Sequence, residues 1–252
     1  MRWYAADLHL HSALSPCALR EMTPAAMARA LAASGVHLAA ITDHNSCENA
    51  AAFVTACRKE GITPLVGMEL ETREEVHLLC LFSSVEAGTD WQGHVYGRLP
   101  WREDRARAFG TQWRYDAGGR PMAPLERLLT ISSELGLEEA CAEVKARGGL
   151  CIPAHIDRPA YSLLAMLGLV PRDLPVPALE ISARAREDEL RLRLGKGLGG
   201  RQLVSFSDAH CLDDIWPGRT ALWLAHPSWS ELELALAGRD GRRVVVLPAV
   251  ER

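Results

Sequence analysis

Short apolar segments alternate with helix-forming segments along most of the chain. Residues 3–8, 37–42 and 62–66 have the length and apolar content of buried strands. Between the first two, Thr23 and Pro24 provide an N-cap and a first-turn proline, and Gly35 ends the helix that they begin. Strands separated by helices are typical of a parallel sheet or barrel. The sequence therefore predicts an α/β domain whose strands share one carboxyl-terminal rim.

The same alternation continues to the end of the chain. Further strands are predicted at residues 76–82, 150–153, 178–182, 202–206, 220–224 and 244–247. Further helices are predicted at residues 48–60, with Asn45 or Ser46 as the N-cap, and at 137–147, 161–169, 184–194 and 230–237. No internal repeat or domain linker interrupts the pattern. We therefore expect a single domain over residues 1–252.

One stretch, at about residues 83–128, breaks this alternation. Among many glycine, proline and arginine residues it holds these aromatic ones: Trp91, Tyr96, Trp101, Phe109, Trp113 and Tyr115. A structureless loop of such length is unusual in a compact domain. We interpret the stretch as an insertion with a small aromatic cluster of its own. It acts either as a functional lid or as a mini-core that holds the insertion down.

Histidine and acidic residues follow the carboxyl ends of the predicted strands. His9 and His11 come after the first strand at positions i and i+2, which point to the same side of an extended chain. In a barrel, strand ends share the rim on which active sites are built. Further such residues mark later strands, with His77 inside its strand: Asp43, His44, Glu69, His77, His155, Asp208 and His210. Converging imidazoles and carboxylates predict a metal centre.

Composition argues against several other classes of protein. A formal net charge of −4 provides no overall attraction to nucleic acid or to anionic membranes. Seven scattered cysteines without a C-x-x-C pair do not form a disulfide framework. The sequence has no apolar run typical of a membrane span or a signal peptide, and no P-loop or dinucleotide-binding fingerprint. We therefore expect a cytoplasmic globular protein without a membrane partner.

The segments that carry the candidate ligands resemble those of the PHP family, which is named for its polymerase and histidinol phosphatase members. In family order, the matching segments are residues 7–12 (DLHLHS), 41–44 (ITDH), 67–69 (GME), 76–77 (VH), 153–155 (PAH) and 206–210 (FSDAH). They cover almost the whole chain. The resemblance implies a distorted (β/α)7 barrel with two or three divalent metal ions at the carboxyl-terminal rim of the strands.

Carried over residue by residue, the resemblance implies three metal subsites. The first metal would be held by His9, His11, Glu69 and Asp208. The second would be held by Glu69, His77 and His155, so that Glu69 bridges the two metals. Imidazole and carboxylate ligands suit Zn²⁺, Mn²⁺ or Fe²⁺. Asp7 and Asp43 stand beside ligands and are expected to orient imidazoles, although Asp43 could equally cap the following helix.

The third subsite departs from the family pattern. His44 and His210 would hold this metal together with a His or Asp that the family places five or six residues after the second histidine of its first motif. Pro16 and Cys17 occupy those positions here. Proline cannot bind a metal, whereas a Cys17 thiolate would favour a soft ion such as zinc. The alternative is that Cys17 is a plain buried thiol.

Such a site suits phosphate ester hydrolysis, because paired metals neutralise phosphate oxygens and activate a bridging hydroxide that attacks phosphorus. Asp208, His155 and Arg158 are predicted to be the catalytic side chains, and Arg158 would clamp the phosphate unless it is a plain surface residue. Arg73 is a weaker candidate for the clamp.

The expected substrate is a small phosphorylated metabolite, with nucleotides and nucleoside bisphosphates favoured. One alternative is a 5′–3′ exonuclease of short oligonucleotides that stacks bases on Trp91, Trp101 or Trp113. Another is a metal-binding module without catalysis that serves a partner.

Overall fold

The computed structural model describes residues 1–101, 109–216 and 219–248. Residues 102–108 of the expected insertion therefore lie outside the described residues. The strands are β1 (Arg2–Asp7), β2 (Leu38–Ile41), β3 (Thr63–Glu71), β4 (His77–Phe82), β5 (Leu150–Pro153), β6 (Ala178–Glu180), β7 (Gln202–Val204), β8 (Thr220–Leu224) and β9 (Arg243–Val246). The α-helices are α1 (Pro24–Ala33), α2 (Ala50–Lys59), α3 (Val85–Tyr96), α4 (Leu137–Ala146), α5 (Leu163–Met166), α6 (Glu187–Leu194) and α7 (Trp229–Leu236).

Seven of these strands form one curled, mixed sheet in the order β5-β4-β3-β2-β1-β8-β9, and β6 and β7 form a separate parallel pair. Within the large sheet, β1, β2 and β3 are parallel, whereas β4, β5, β8 and β9 pair antiparallel with their neighbours. The expectation of a parallel sheet is therefore wrong for these pairs. Only five residues separate β3 from β4, too few for the helical crossover that parallel strands need.

The two sheets enclose one apolar interior. Its side chains come from β1 to β8 and include Tyr4, Ala6, Leu38, Ala40, Leu65, Leu79, Leu81, Ile152, Ala178, Val204, Leu222 and Leu224. Leu232, Ala235 and Leu236 of α7 join this cluster, and α7 follows the end of β8 that pairs with the start of β1. A second cluster packs α1 to α4 against the outside of the sheet. The architecture confirms a distorted barrel of the PHP type.

The first helix matches its sequence signals, whereas the second does not. The Thr23 hydroxyl accepts a hydrogen bond from the Ala26 N–H at 3.2 Å, as expected of an N-cap. Helix α2 instead has Asn49 at its N-cap, so the prediction of Asn45 or Ser46 is wrong. The Asn45 amide donates to the Leu129 carbonyl at 2.7 Å, and its oxygen accepts from the Glu71 N–H. Tertiary hydrogen bonds therefore compete successfully with local capping.

The stretch at 83–128 begins with a helix of the core. Trp91 of α3 is fully buried in the cluster that covers the sheet, and Tyr115 packs with Ala13 and Ala52 elsewhere. The aromatic residues therefore do not form one cluster of their own, contrary to the expectation. Gly88 lets α3 approach β3, because a Cβ there would lie 2.3 Å from Val66 Cγ1. The boundaries of an insertion remain a prediction.

Candidate metal centre

Glu69 lies at the centre of a buried group of imidazoles. It stands near the end of β3, is 1% exposed, and presents its carboxylate at the carboxyl ends of the parallel strands. Its Oε1 lies 2.9–3.2 Å from ring nitrogens of His9, His77 and His155. Its Oε2 lies 3.1–3.2 Å from ring nitrogens of His11 and His44. One carboxylate thus joins ligands from four strand ends.

Asp208 is the second carboxylate that contacts several imidazoles of the cluster. Its Oδ1 lies 3.2 Å from the Nε2 atoms of both His9 and His11, and 3.7 Å from His210 Nδ1. Its Oδ2 lies 2.5 Å from a terminal nitrogen of Arg158. The Arg158 side chain is 43% exposed, so it connects the buried cluster to solvent. Asp208, Arg158 and His155, the three predicted catalytic side chains, therefore lie at one rim, where His155 contacts Glu69 at 3.1 Å.

Left-handed backbone conformations aim two of these side chains. His155 has φ +27° and Asp208 has φ +51°, values that residues other than glycine adopt at a cost. Each follows a strand, at the point where the chain turns over the rim. Backbone strain of this kind persists only where surrounding contacts enforce it. Here, hydrogen bonds such as that from the His155 N–H to Glu180 enforce the turn.

Burial and mutual attraction shape the ionisation of the cluster. Burial alone would raise the pKa of Glu69, but the His77 and His9 imidazoles hold it well below its usual range. His9 and His11 do the same for the pKa of Asp208 against its burial. Burial lowers the pKa of His11, yet Asp208 and Glu69 raise it to about 9. Both carboxylates are therefore ionised at neutral pH and available as metal ligands.

The unpartnered atoms of the cluster fit metal ions. His155 Nδ1 is buried without a hydrogen-bond partner among the described residues, and the close contacts of Asp208 Oδ1 and His77 Nδ1 given above lack hydrogen-bond geometry. Buried polar atoms are rarely left in this state unless an ion or water satisfies them. Ligand atoms lie within 4.8 Å of one another in three groups: His9, His11 and Asp208; His44, Glu69 and His77; His11, His44 and His210. Nitrogen and carboxylate donors in this arrangement suit divalent transition metals.

These groups overlap with the predicted subsites without reproducing them fully. Three of the four expected ligands of the first metal stand together, and Glu69 touches two of the three. In the group that contains Glu69 and His77, the third ligand is His44 and not the expected His155. His155 instead contacts Glu69, at 3.1 Å. His11 joins His44 and His210. The assignment of each ligand to a particular ion remains a prediction.

Cys17 lies on the surface beside this group. Its thiol is exposed, so the alternative of a plain buried thiol is wrong. The pKa of His44 is about 9: burial and His11 lower it, whereas Glu69 and a contact with the Cys17 side chain raise it. The thiol is therefore a neighbour of a candidate third-metal ligand, although it is not part of the three ligand groups.

Glu180 is a site residue that sequence reasoning missed. Its Oε2 lies 2.9 Å from His9 Nδ1 and accepts a hydrogen bond from the His155 N–H. A carboxylate on the outer nitrogen of a metal-binding histidine sets its tautomer and ring orientation. The signal was an acidic residue inside the predicted strand at 178–182, where burial of a charge requires a partner.

Asp43 is placed to orient an imidazole, as expected, whereas Asp7 is not. Asp43 accepts hydrogen bonds from the hydroxyls of Ser12 and Ser15, and the Ser15 hydroxyl lies 3.0 Å from His11 Nδ1. Asp43 thus orients His11 through a serine, and it does not cap α2. Asp7 accepts hydrogen bonds from the backbone N–H groups of His9 and Ser207, and among the described residues it forms none with an imidazole. Burial raises the pKa of Asp7 to about 7.

The remaining candidates fall outside the cluster. Arg73 is 65% exposed and pairs with Glu74 at 3.5 Å, and within the described residues its guanidinium forms no ion pair with Asp208 or Glu69. His37 accepts a hydrogen bond from the Ala5 N–H, as a structural histidine does. None of the helices in the described part of the chain is long and apolar enough to cross a membrane.

The barrel and its histidine–carboxylate rim define an α/β protein with a candidate centre for divalent metal ions. The model of the PHP domain matches residues 7–158, which is more than half of the chain, and the chain belongs to this family. The match covers the segments around His9, His44, Glu69, His77 and His155. Among curated proteins, none matches the chain by sequence.

Solved structures of similar fold carry different functional names. A lesion-specific endonuclease from Pyrococcus furiosus has a TM-score of 0.68 at 20% identity, over 96% of this chain. This chain spans 58% of that endonuclease. An amidohydrolase from Chromobacterium violaceum has a TM-score of 0.59 at 20% identity, over 96% of this chain and 98% of its own. A predicted metal-dependent phosphoesterase from Bifidobacterium adolescentis has a TM-score of 0.56 at 19% identity, over 82% and 88% of the two chains.

Proposed function

We propose that this chain is a phosphomonoesterase of small phosphorylated metabolites, and that nucleotides or nucleoside bisphosphates are its substrates. The observation that carries the proposal is the position of Arg158. Its half-exposed guanidinium contacts Asp208 at the edge of the buried cluster. A guanidinium at the border between solvent and metal ligands is suited to bind the oxygens of an incoming phosphate. The acidic balance of the chain favours a small substrate over a long polyanion.

Two or three divalent ions, Zn²⁺, Mn²⁺ or Fe²⁺, are the cofactors that we propose. His9, His11, Glu69 and Asp208 would hold one, Glu69, His77 and His155 a second, and His44 and His210 a third. When bound, such ions supply Lewis acidity to the phosphate and lower the pKa of water. Five imidazoles within 3.2 Å of Glu69 support its role as the bridging ligand.

The side chains of this protein would divide the remaining work. Arg158 binds non-bridging phosphate oxygens and turns from Asp208 toward the substrate. Asp208 orients the attacking water through Oδ1, which lies 3.2 Å from the Nε2 atoms of His9 and His11. His155 stays on Glu69 and fixes the turn that carries Arg158, whose N–H donates to the His155 carbonyl at 3.0 Å. The buried rim limits access of bulk water.

A substrate panel tests the proposal. Protein loaded with Mn²⁺ is assayed for phosphate release from mononucleotides, nucleoside bisphosphates, sugar phosphates, histidinol phosphate and 5′-phosphorylated oligonucleotides. We expect release from one class of small substrate, its loss in His155→Ala, and its retention in His37→Ala, a histidine away from the cluster. Protein that holds metal and hydrolyses nothing on the panel contradicts the proposal and favours the non-catalytic metal-binding module.

A second candidate, an exonuclease of short oligonucleotides, is favoured by the likeness to the lesion-specific endonuclease. Trp91 cannot stack on a base, because it is fully buried. Trp101 can, because it is 58% exposed, and the Arg127 guanidinium lies 5.1 Å from its ring. Cleavage of oligonucleotides without release from mononucleotides, and its weakening in Trp101→Ala, would favour this function.

Cys17 has a separate test as a ligand of the third metal. Co²⁺ bound by a thiolate shows an intense sulfur-to-metal charge-transfer band, which nitrogen and oxygen ligands lack. We expect this band in the Co²⁺-loaded protein and its absence in Cys17→Ser. Cys211→Ser is the matched control, because Cys211 is a partly exposed thiol next to His210. A spectrum unchanged by Cys17→Ser would remove Cys17 from the ligand set.

A further inference from the structure

One short loop, residues 154–162, carries His155, Arg158 and Tyr161. The loop is fixed to the start of β4 at both ends. The Ala154 N–H donates to the His77 carbonyl at 2.9 Å, and the His77 N–H donates to the Tyr161 carbonyl at 3.0 Å. Within the loop, the Ser162 hydroxyl donates to the Arg158 carbonyl at 2.7 Å. Arg158 and Tyr161 are therefore held in a defined relation to the candidate metal ligands.

The Tyr161 ring lies flat on a ring of the metal centre. Its centroid is 4.9 Å from that of His77, and the two planes differ by 18°. Tyr161 is nevertheless 46% exposed, so nearly half of this residue is open to solvent although its ring stacks on His77. Its φ is +54°, a left-handed conformation that is uncommon for a bulky residue. Strained residues of this kind cluster at ligand-binding sites.

We propose that Tyr161 is the stacking platform for the base of a nucleotide substrate and thereby determines its specificity. The inference rests on the proposed phosphatase function. If the phosphate of a substrate lies between Arg158 and the metal ligands, the nucleoside to which it is esterified would extend along the rim on which Tyr161 lies. A nucleobase can stack on the face of the Tyr161 ring that His77 does not cover, whereas a sugar phosphate has no ring that would displace water from that face. One stacked base contributes a factor of about 5 to 150 in affinity.

A purely structural role for Tyr161 makes a different prediction. If the ring only shields His77, its removal weakens metal binding and impairs every substrate equally. If it binds the base, the loss is confined to substrates that have one. Adenosine 5′-monophosphate and ribose 5-phosphate form a suitable pair, because they share the phosphate and the ribose and differ in the base.

The experiment compares the wild type with Tyr161→Ala, Tyr161→Phe and Tyr161→Leu in the full, Mn²⁺-loaded chain. KM and kcat are measured for both substrates, together with metal content per chain. Leucine covers His77 without an aromatic face, and phenylalanine keeps the face without the hydroxyl. Trp3→Ala is the matched control, because Trp3 is also 46% exposed but lies in β1, at the opposite end of the barrel.

We expect Tyr161→Ala and Tyr161→Leu to raise KM for adenosine 5′-monophosphate about tenfold, with Tyr161→Phe near the wild type. KM for ribose 5-phosphate and metal content stay unchanged in all three. Equal losses for both substrates, rescue by leucine, or lower metal content in Tyr161→Ala overturn the proposal.

A binding measurement separates this proposal from the proposed function. Calorimetry with the non-hydrolysable 5′-methylenephosphonate analogue of the same nucleotide reports affinity without turnover. If the wild type hydrolyses nothing but Tyr161→Ala still loses about tenfold in this affinity, the phosphatase function fails and the stacking role stands. If hydrolysis occurs and this affinity is unchanged in Tyr161→Ala, the stacking role fails alone.

Discussion

At the carboxyl-terminal rim, buried polar groups crowd around Glu69, and His155 Nδ1 has no hydrogen-bond partner among the described residues. At the opposite end, the buried carboxylate of Glu231 in α7 is fully paired. Arg242 contacts both of its oxygens, at 2.5 and 3.0 Å, and the Ala225 N–H donates to Oε2 at 2.7 Å. Both ends bury acidic groups, but Glu231 is held by an arginine and a backbone N–H, whereas Glu69 is surrounded by imidazoles that are themselves candidate metal ligands.

This difference assigns function to the rim and stability to the other end. A buried carboxylate that is fully hydrogen-bonded contributes to the native state, whereas a buried polar atom without a partner, such as His155 Nδ1 among the described residues, costs free energy until a ligand or water binds. The left-handed φ values of His155 and Asp208 add to the cost at the rim. We therefore expect that rim variants impair activity and metal binding, and that variants at the α7 end impair stability alone.

The largest effect is expected from Glu69→Gln. The change removes the charge that five imidazoles contact, so kcat falls by about a thousandfold or more and bound metal is lost. Phosphate release and metal content per chain measure both effects. Glu86→Gln is the matched control, because Glu86 lies in the first turn of α3, away from the imidazole cluster. Equal losses in both variants would contradict the central position of Glu69.

Glu180→Gln sharpens the comparison within the rim. The amide keeps the size of the side chain but holds His9 less firmly, so metal affinity and activity fall by about 10- to 100-fold. Competition with a chelator of known affinity measures the affinity of the protein for the metal. Glu187→Gln, at the first residue of α6, is expected to change neither quantity. Metal affinity unchanged by Glu180→Gln would show that this carboxylate does not orient His9.

Metal removal distinguishes the two ends in one molecule. At a metal concentration about 100-fold above Kd, binding adds roughly 2.7 kcal/mol to the free energy of unfolding. Hydrogen exchange with and without a chelator locates the effect. We expect amides of residues 154–162 and 207–210 to lose protection, and those of α7 to keep theirs. Uniform loss across the barrel would mean that the metal supports the whole fold.

Glu231→Gln is expected to have the smallest effect, confined to stability. Arg242 and the Ala225 N–H lower the pKa of Glu231 from 4.5 to about 2. The unfolded chain therefore takes up a proton before the folded one, so this contribution is complete above pH 4.5 and is lost as the pH falls toward 2. Urea unfolding at pH 7 should show a loss of about 1–2 kcal/mol, which shrinks below pH 4.

Activity of Glu231→Gln at pH 7 should equal that of the wild type while the protein is folded. Arg242→Met is the partner control, and the double variant should cost less than the sum of the single ones, because both remove one interaction. A loss of activity without a loss of stability would break the division between the two ends.

Much of the rim could be predicted because its signals are local. Histidines at i and i+2, or an acidic residue at the end of an apolar run, reveal candidate ligands such as His9, His11 and Glu69 without any knowledge of the partner. Glu180 escaped the prediction because its role depends on His9, 171 residues away in the sequence. Asp43 likewise acts through Ser15, which no spacing rule connects to His11.

Most of the strands, the first helix with its cap and the set of candidate ligands follow from the sequence by itself, because side-chain periodicity and capping involve neighbouring residues. The end of β3 does not, because that strand continues to Glu71, five residues beyond its predicted end. Tertiary structure decided which strands pair antiparallel, that α3 belongs to the core, and that Glu69 meets five imidazoles. It also placed Tyr161 on His77. These contacts depend on the curvature of the barrel, which brings distant segments within hydrogen-bond distance and which no local pattern specifies.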